Sequence, residues 1–117
     1  MILSIVMLIT LSFTTVAMAA TTAQSYTNGS HTFSKDWSET KTKTYNGYKC
    51  VLTYGFNTFL INEDTAYAYT DGNFHFARIV NGNGTHEDNY KSANVWSEIE
   101  VTHKGSSVTY KNMWGKN

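Results

Sequence analysis

At 117 residues the chain is long enough for one domain built on one hydrophobic core, not two. Nine basic residues balance nine acidic ones, all of them after residue 20, which argues against a nucleic-acid or anionic-membrane partner drawn by bulk charge, since both need clustered Lys and Arg. The single cysteine, Cys50, excludes the disulfide framework that small exported domains often use.

Residues 1 to 19 read as a signal peptide. Met1 to Ala20 carries no charge, runs as an apolar block from Ile2 to Val16, and ends in Ala17-Met18-Ala19, the small-x-small pattern that a signal peptidase accepts. Cleavage after Ala19 and secretion are therefore expected. No Lys or Arg precedes the block, which leaves room for an upstream start codon. About twenty apolar residues also match a bilayer span, but Thr10, Ser12, Thr14 and Thr15 dilute the second half and favour cleavage over an anchor. Residues 20 to 30 are small and polar with little to bury, and are expected to form a flexible leader.

From residue 31 to 117 a β-sandwich domain is expected. Thr, Tyr, Val, Ile, Phe and Trp dominate, proline is absent, and turn signals recur about every dozen residues. The clearest hairpin runs from Thr40 to Tyr45, turns at Asn46-Gly47, and returns from Tyr48 to Tyr54, because Asn-Gly supplies the two positive-φ positions of a type I′ turn. On its second arm Tyr48, Cys50, Leu52 and Tyr54 share one face, read as the core face. Cys50 is then either a buried thiol or an intermolecular disulfide making a homodimer, with the buried thiol favoured by its strand position. Lipidation is excluded by its distance from the signal.

A strand from Phe56 to Asn62 is expected next, then Thr65 to Thr70, a tight turn at Asp71-Gly72, and Phe74 to Val80 ending on Asn81-Gly82-Asn83-Gly84. Thr85 to Ser92 reads as a polar loop. The longest alternation follows, with Val95, Ser97, Ile99 and Val101 inward and Trp96, Glu98, Glu100 and Thr102 wet. Lys104-Gly105 turns the chain into a last strand from Ser106 to Asn112, followed by Met113-Trp114. About seven strands, mostly paired in sequence, give an all-β, antiparallel sandwich or small barrel.

Catalytic signals are weak. His31, His75, His86 and His103 show no metal-ligand spacing, and His86-Glu87-Asp88 are consecutive in a loop, so their side chains diverge. Asp71-Gly72-Asn73 lacks the alternating ligands of a calcium loop. No nucleophile elbow or phosphate cradle is present. Glu98 and Glu100 share a strand face and could be a glycosidase pair, but they read better as the wet side of an amphipathic strand. Neither a cofactor nor an enzyme activity is expected. What stands out is eight Tyr, six Phe and three Trp. Tyr67 and Tyr69 share a face, and Trp96 lies on the wet one, which makes the three a candidate recognition surface.

The segment from Thr65 to Trp114 resembles the lactococcin 972 family of secreted bacteriocins. The resemblance is carried by Ala66-Tyr67-Ala68-Tyr69, by His75-Phe76-Ala77-Arg78-Ile79-Val80, by Asn81-Gly82-Asn83-Gly84 with Ser92-Ala93-Asn94-Val95-Trp96, and by Val108 to Trp114. It implies a compact β-sandwich, secretion, and antimicrobial action on related bacteria through the cell-wall precursor lipid II. With strand parity it adds Trp114 to Tyr67, Tyr69 and Trp96 as ligand-binding candidates. The amino-terminal hairpin, Cys50 and the neutral balance depart from the family. The leading expectation is a secreted, bacteriocin-like protein that binds an envelope component. The rival is a surface or matrix structural protein self-associating through β edges, and a small hydrolase or its inhibitor ranks last.

Overall fold

The computed structural model describes residues 19–117, and the apolar block read as a signal peptide lies almost entirely outside them. The described chain is all-β. Eight strands follow in order: β1 (Thr21–Thr27), β2 (Trp37–Tyr45), β3 (Tyr48–Asn57), β4 (Glu63–Thr70), β5 (His75–Asn81), β6 (Gly84–Glu87), β7 (Ser97–Thr102) and β8 (Thr109–Trp114). They form two antiparallel sheets, ordered β1-β8-β5-β6 and β2-β3-β4-β7. The expected sandwich is therefore the fold.

The Asn46-Gly47 hairpin has the expected register, from Trp37 opposite Phe56 to Tyr45 opposite Tyr48, with φ of 50° and 80° at the two turn residues. Cys50, Leu52 and Tyr54 point inward as read. Tyr48 shares that face but is not core: at the end of the strand it is exposed, its ring 5.8 Å from that of Trp114 on the opposing sheet. There its ring lies over Gly72, where any Cβ would collide with it. Gly72 is thus small for packing, and it is not among the positive-φ residues that a tight turn would need. The Asp71 to Phe74 segment is accordingly a crossing between sheets, since β4 and β5 belong to different ones. The chain also changes sheet between β1 and β2, β6 and β7, and β7 and β8.

Three further expectations are corrected. Residues 20 to 30 contain β1, which pairs with β8 along its length. It holds without an apolar run because a register irregularity at Thr22/Gln24 turns Ala23 and Gln24 both inward, and Gln24 Nε2 donates to Lys41 O at 3.0 Å. The strand read from Phe56 to Asn62 does not exist separately: β3 runs through Phe56 to Asn57, and residues 58–62 form a loop. The loop read from Thr85 begins with β6, which closes a hairpin on β5 through Gly82-Asn83, with Gly84 at φ 106°.

The core forms where Leu52, Tyr54, Ala66 and Ala68 of one sheet meet Ala77, Ile79, Val108 and Tyr110 of the other. The small alanines on β4 and β5 leave room between the sheets that the Tyr54 and Tyr110 rings, 5.0 Å apart, help to fill. Cys50 is fully buried and free, and burial pushes its thiol up from the ordinary cysteine range. A bond between two chains would require β3 to open. A thiol reagent is therefore expected to label Cys50 in denaturant and not in the native protein, read by mass. Fast native labelling would overturn the buried-thiol assignment.

Candidate functional site

The outer face of the β2-β3-β4-β7 sheet collects the residues that alternate away from the core. Register places Thr40, Thr53, Tyr67 and Glu98 in one row across all four strands, and Ser38, Gly55, Thr65 and Glu100 in the next. On β4, Tyr67 and Tyr69 face out because Ala66, Ala68 and Thr70 are buried between them. Glu98 and Glu100 face out on β7 as read.

Trp96 reaches this face from the loop before β7. Asn94 adopts φ 67°, a left-handed conformation that Asn tolerates, and its N–H donates to Thr70 O at 2.8 Å. His75, fully buried, braces the next residue: its ring lies between carbonyls, Nε2 at 2.7 Å from Val95 O and Nδ1 at 3.0 Å from Asn73 O. Val95, read as inward, is exposed, because β7 begins only at Ser97. Ser97 Oγ donates to Asp88 Oδ2 at 2.8 Å and accepts from Ala77 N, tying the start of β7 to the other sheet. The result is an exposed Trp96 ring 5.2 Å from that of Tyr69.

Two shallow depressions share Tyr67. One, of about 240 Å³, is lined by Thr53, Tyr67, Trp96 and Glu98. The other, of about 370 Å³, is bordered by Asp36, Ser38, Asn57, Thr65 and Tyr67. In that row Gly55 can carry no side chain, because the Trp37 carbonyl crosses directly against it.

The face is acidic. Tyr67 OH donates to Glu100 Oε1 at 2.6 Å and Tyr69 OH to Asn94 Oδ1 at 3.0 Å. Among the described residues, none of Glu63, Glu98 and Glu100 forms an ion pair. Lys49, the base on this face, lies four residues along β3 from Thr53, about 13 Å away. The Tyr67 phenol is pushed up to about 12, first by desolvation, then by its bond to Glu100, then by the charges of Glu100, Glu98 and Glu63. Because the folded value is raised, the stability this contributes is complete below pH 10 and lost as pH rises through about 12. The wild-type minus Tyr67→Phe absorbance difference is expected to titrate near 12, and to move toward 10 in Glu100→Gln. A wild-type step at 10 would contradict this environment.

Of the four aromatics named from sequence, Tyr67, Tyr69 and Trp96 share this face. Trp114 does not. It sits at the far end with Tyr45 and Tyr48, at centroid distances of 5.4 and 5.8 Å, beside a cleft of about 390 Å³ that Asn46 and Asn73 also line. Thr53, Thr65, Asn57 and Asp36 went unnamed, although the Asn46-Gly47 turn already fixes Thr53 opposite Thr40. The His86-Glu87-Asp88 string splits, with Glu87 paired to Arg78 at 2.7 Å and Asp88 holding Ser97. Among the described residues, no three His, Cys, Asp or Glu side chains are grouped to hold a metal ion.

Fold and face together define an eight-stranded antiparallel sandwich presenting aromatics and carboxylates on one sheet. Comparison with protein-family models, curated proteins and solved structures finds no match.

Proposed function

We propose that the chain is an exported, non-catalytic β-sandwich that binds a glycan-bearing component of the bacterial cell envelope through the outer face of the β2-β3-β4-β7 sheet. The observation that carries this reading is the exposed Trp96 ring with half-buried Tyr67 and Tyr69 on one face, beside carboxylates that form no ion pair among the described residues. Aromatic rings offer flat apolar area to the C–H face of a sugar, while Glu98 and Thr53 can accept from its hydroxyls. The resemblance to lactococcin 972-type bacteriocins supplies the envelope and lipid II as the setting, with growth inhibition of related bacteria as the outcome. On this face the sugars of such a precursor, rather than its pyrophosphate, would make the contact, since Glu63, Glu98 and Glu100 repel anions.

The test is co-sedimentation of the exported protein with purified cell-wall sacculi and with vesicles containing lipid II, together with growth inhibition of related strains. Saturable binding and inhibition are expected. No binding to either material and no inhibition would sink the reading.

A second reading, self-association as a surface or matrix protein, is favoured by β2, a nine-residue edge strand whose outer side pairs with no other strand among the described residues. Concentration-dependent oligomers without envelope binding would favour it.

A further inference from the structure

The loop joining β3 to β4 presents Phe59, Leu60 and Ile61 in succession, 87%, 85% and 52% exposed. No other described segment exposes three large apolar residues in a row. The loop is nevertheless well held. Asp36 Oδ1 accepts from Thr58 N at 2.8 Å and from Thr58 Oγ1 at 2.7 Å, and Asn57 Oδ1 accepts from Phe59 N. His103 N donates to Asn62 O at 2.9 Å, and beneath it Phe56 packs edge-on against Phe33 and His103. The backbone groups at the base are satisfied within the protein while the three side chains project outward.

We propose that this loop is a membrane-inserting tip, its occupant the interfacial region of a zwitterionic bilayer. Two arguments select lipid over a protein partner or a second copy. The three side chains offer on the order of 400 Å² of apolar area, well short of the roughly 800 Å² per partner that a stable protein interface buries, yet enough to seat a loop in the outer 5–10 Å or so of a bilayer. The flanking charges are mixed, Asp36 and Glu63 against Lys35, so the tip has no basic cluster to draw it to anionic lipid. Asp36 and Asn57 also border the 370 Å³ depression, so insertion would hold that end of the aromatic face at head-group level. The inference goes beyond the glycan reading and stands or falls separately from it.

The experiment is flotation of the exported protein with pure phosphatidylcholine vesicles at low and high salt. Binding is expected at both. The doubly substituted Phe59→Asp, Leu60→Asp protein is expected to lose it by roughly tenfold or more, with an unchanged melting temperature because both residues are exposed. In Phe59→Trp protein otherwise lacking tryptophan changes at the tip, vesicles are expected to add a blue-shifted emission quenched by brominated lipid. No flotation, flotation unaffected by the double substitution, or flotation that high salt abolishes would overturn the proposal. So would a dimer that the same substitution dissociates without any vesicle binding. Sacculi contain no bilayer, so their binding reads the aromatic face alone and separates a failure there from a failure at the tip.

Discussion

Trp96→Ala is expected to weaken binding to sacculi and to lipid II vesicles about 30-fold, the loss typical of a 2 kcal/mol aromatic hot spot. The ring is 41% exposed and rests mainly on Tyr69, so its removal should cost only about 1 kcal/mol of fold stability. Trp114→Ala is the matched control. That ring lies with Tyr45 and Tyr48 away from the face, and its loss should leave affinity within about twofold. Isothermal titration against soluble wall fragments, alongside thermal melts, measures both. Equal losses from the two variants would show that the aromatic face is not the binding surface.

Asn112→Leu should be the most damaging single change in the core. Asn112 is fully buried on β8, and its Nδ2 faces Gln24 Oε1 at 3.1 Å, Tyr69 O at 3.0 Å and Val51 O at 3.3 Å. One amide thus ties β8 both to Gln24 of its neighbour β1 and, across the core, to β3 and β4 of the opposite sheet. Leucine keeps the branched shape, at somewhat larger volume, and removes the donor, leaving buried acceptors unpaired at a cost of about 3 kcal/mol. For a domain of this size that lowers the melting temperature by about 10–20 °C. Thr42→Ala on the exposed side of β2 should change it by no more than a few degrees. A mild effect of Asn112→Leu, comparable to that of Thr42→Ala, would mean that water or a shifted Gln24 replaces the tie.

What could be read from the sequence was local. The Asn46-Gly47 dipeptide determines its turn by backbone conformation alone, and alternation on β4 and β7 assigns Tyr67, Tyr69, Glu98 and Glu100 to the outside. What could not be read depended on partners distant in the chain. β1 looks like a loose leader because its buried residues are Ala23 and Gln24, and only Asn112, Lys41 O and the β8 ladder make them strand residues. Phe59-Leu60-Ile61 reads as a strand because apolar runs usually bury, and nothing local shows that β3 has already ended at Asn57. Asp71-Gly72 has the composition of a tight turn, yet the small residue is there for the Tyr48 ring. Trp114 differs again: parity and resemblance placed it among the ligand candidates, and the sheet order carried it to the opposite end.

The pairing of β1 with β8 joins the first strand to the last, Thr21 lying opposite Trp114. A chain that emerges amino end first from a ribosome or a narrow channel cannot finish the β1-β8-β5-β6 sheet until its final residues are free. Closure across that separation makes folding slow, since the loop entropy is spent before the ladder returns it. The β1-β8-β5-β6 sheet is therefore expected to form late in folding, only once strands from both ends of the described chain are present together.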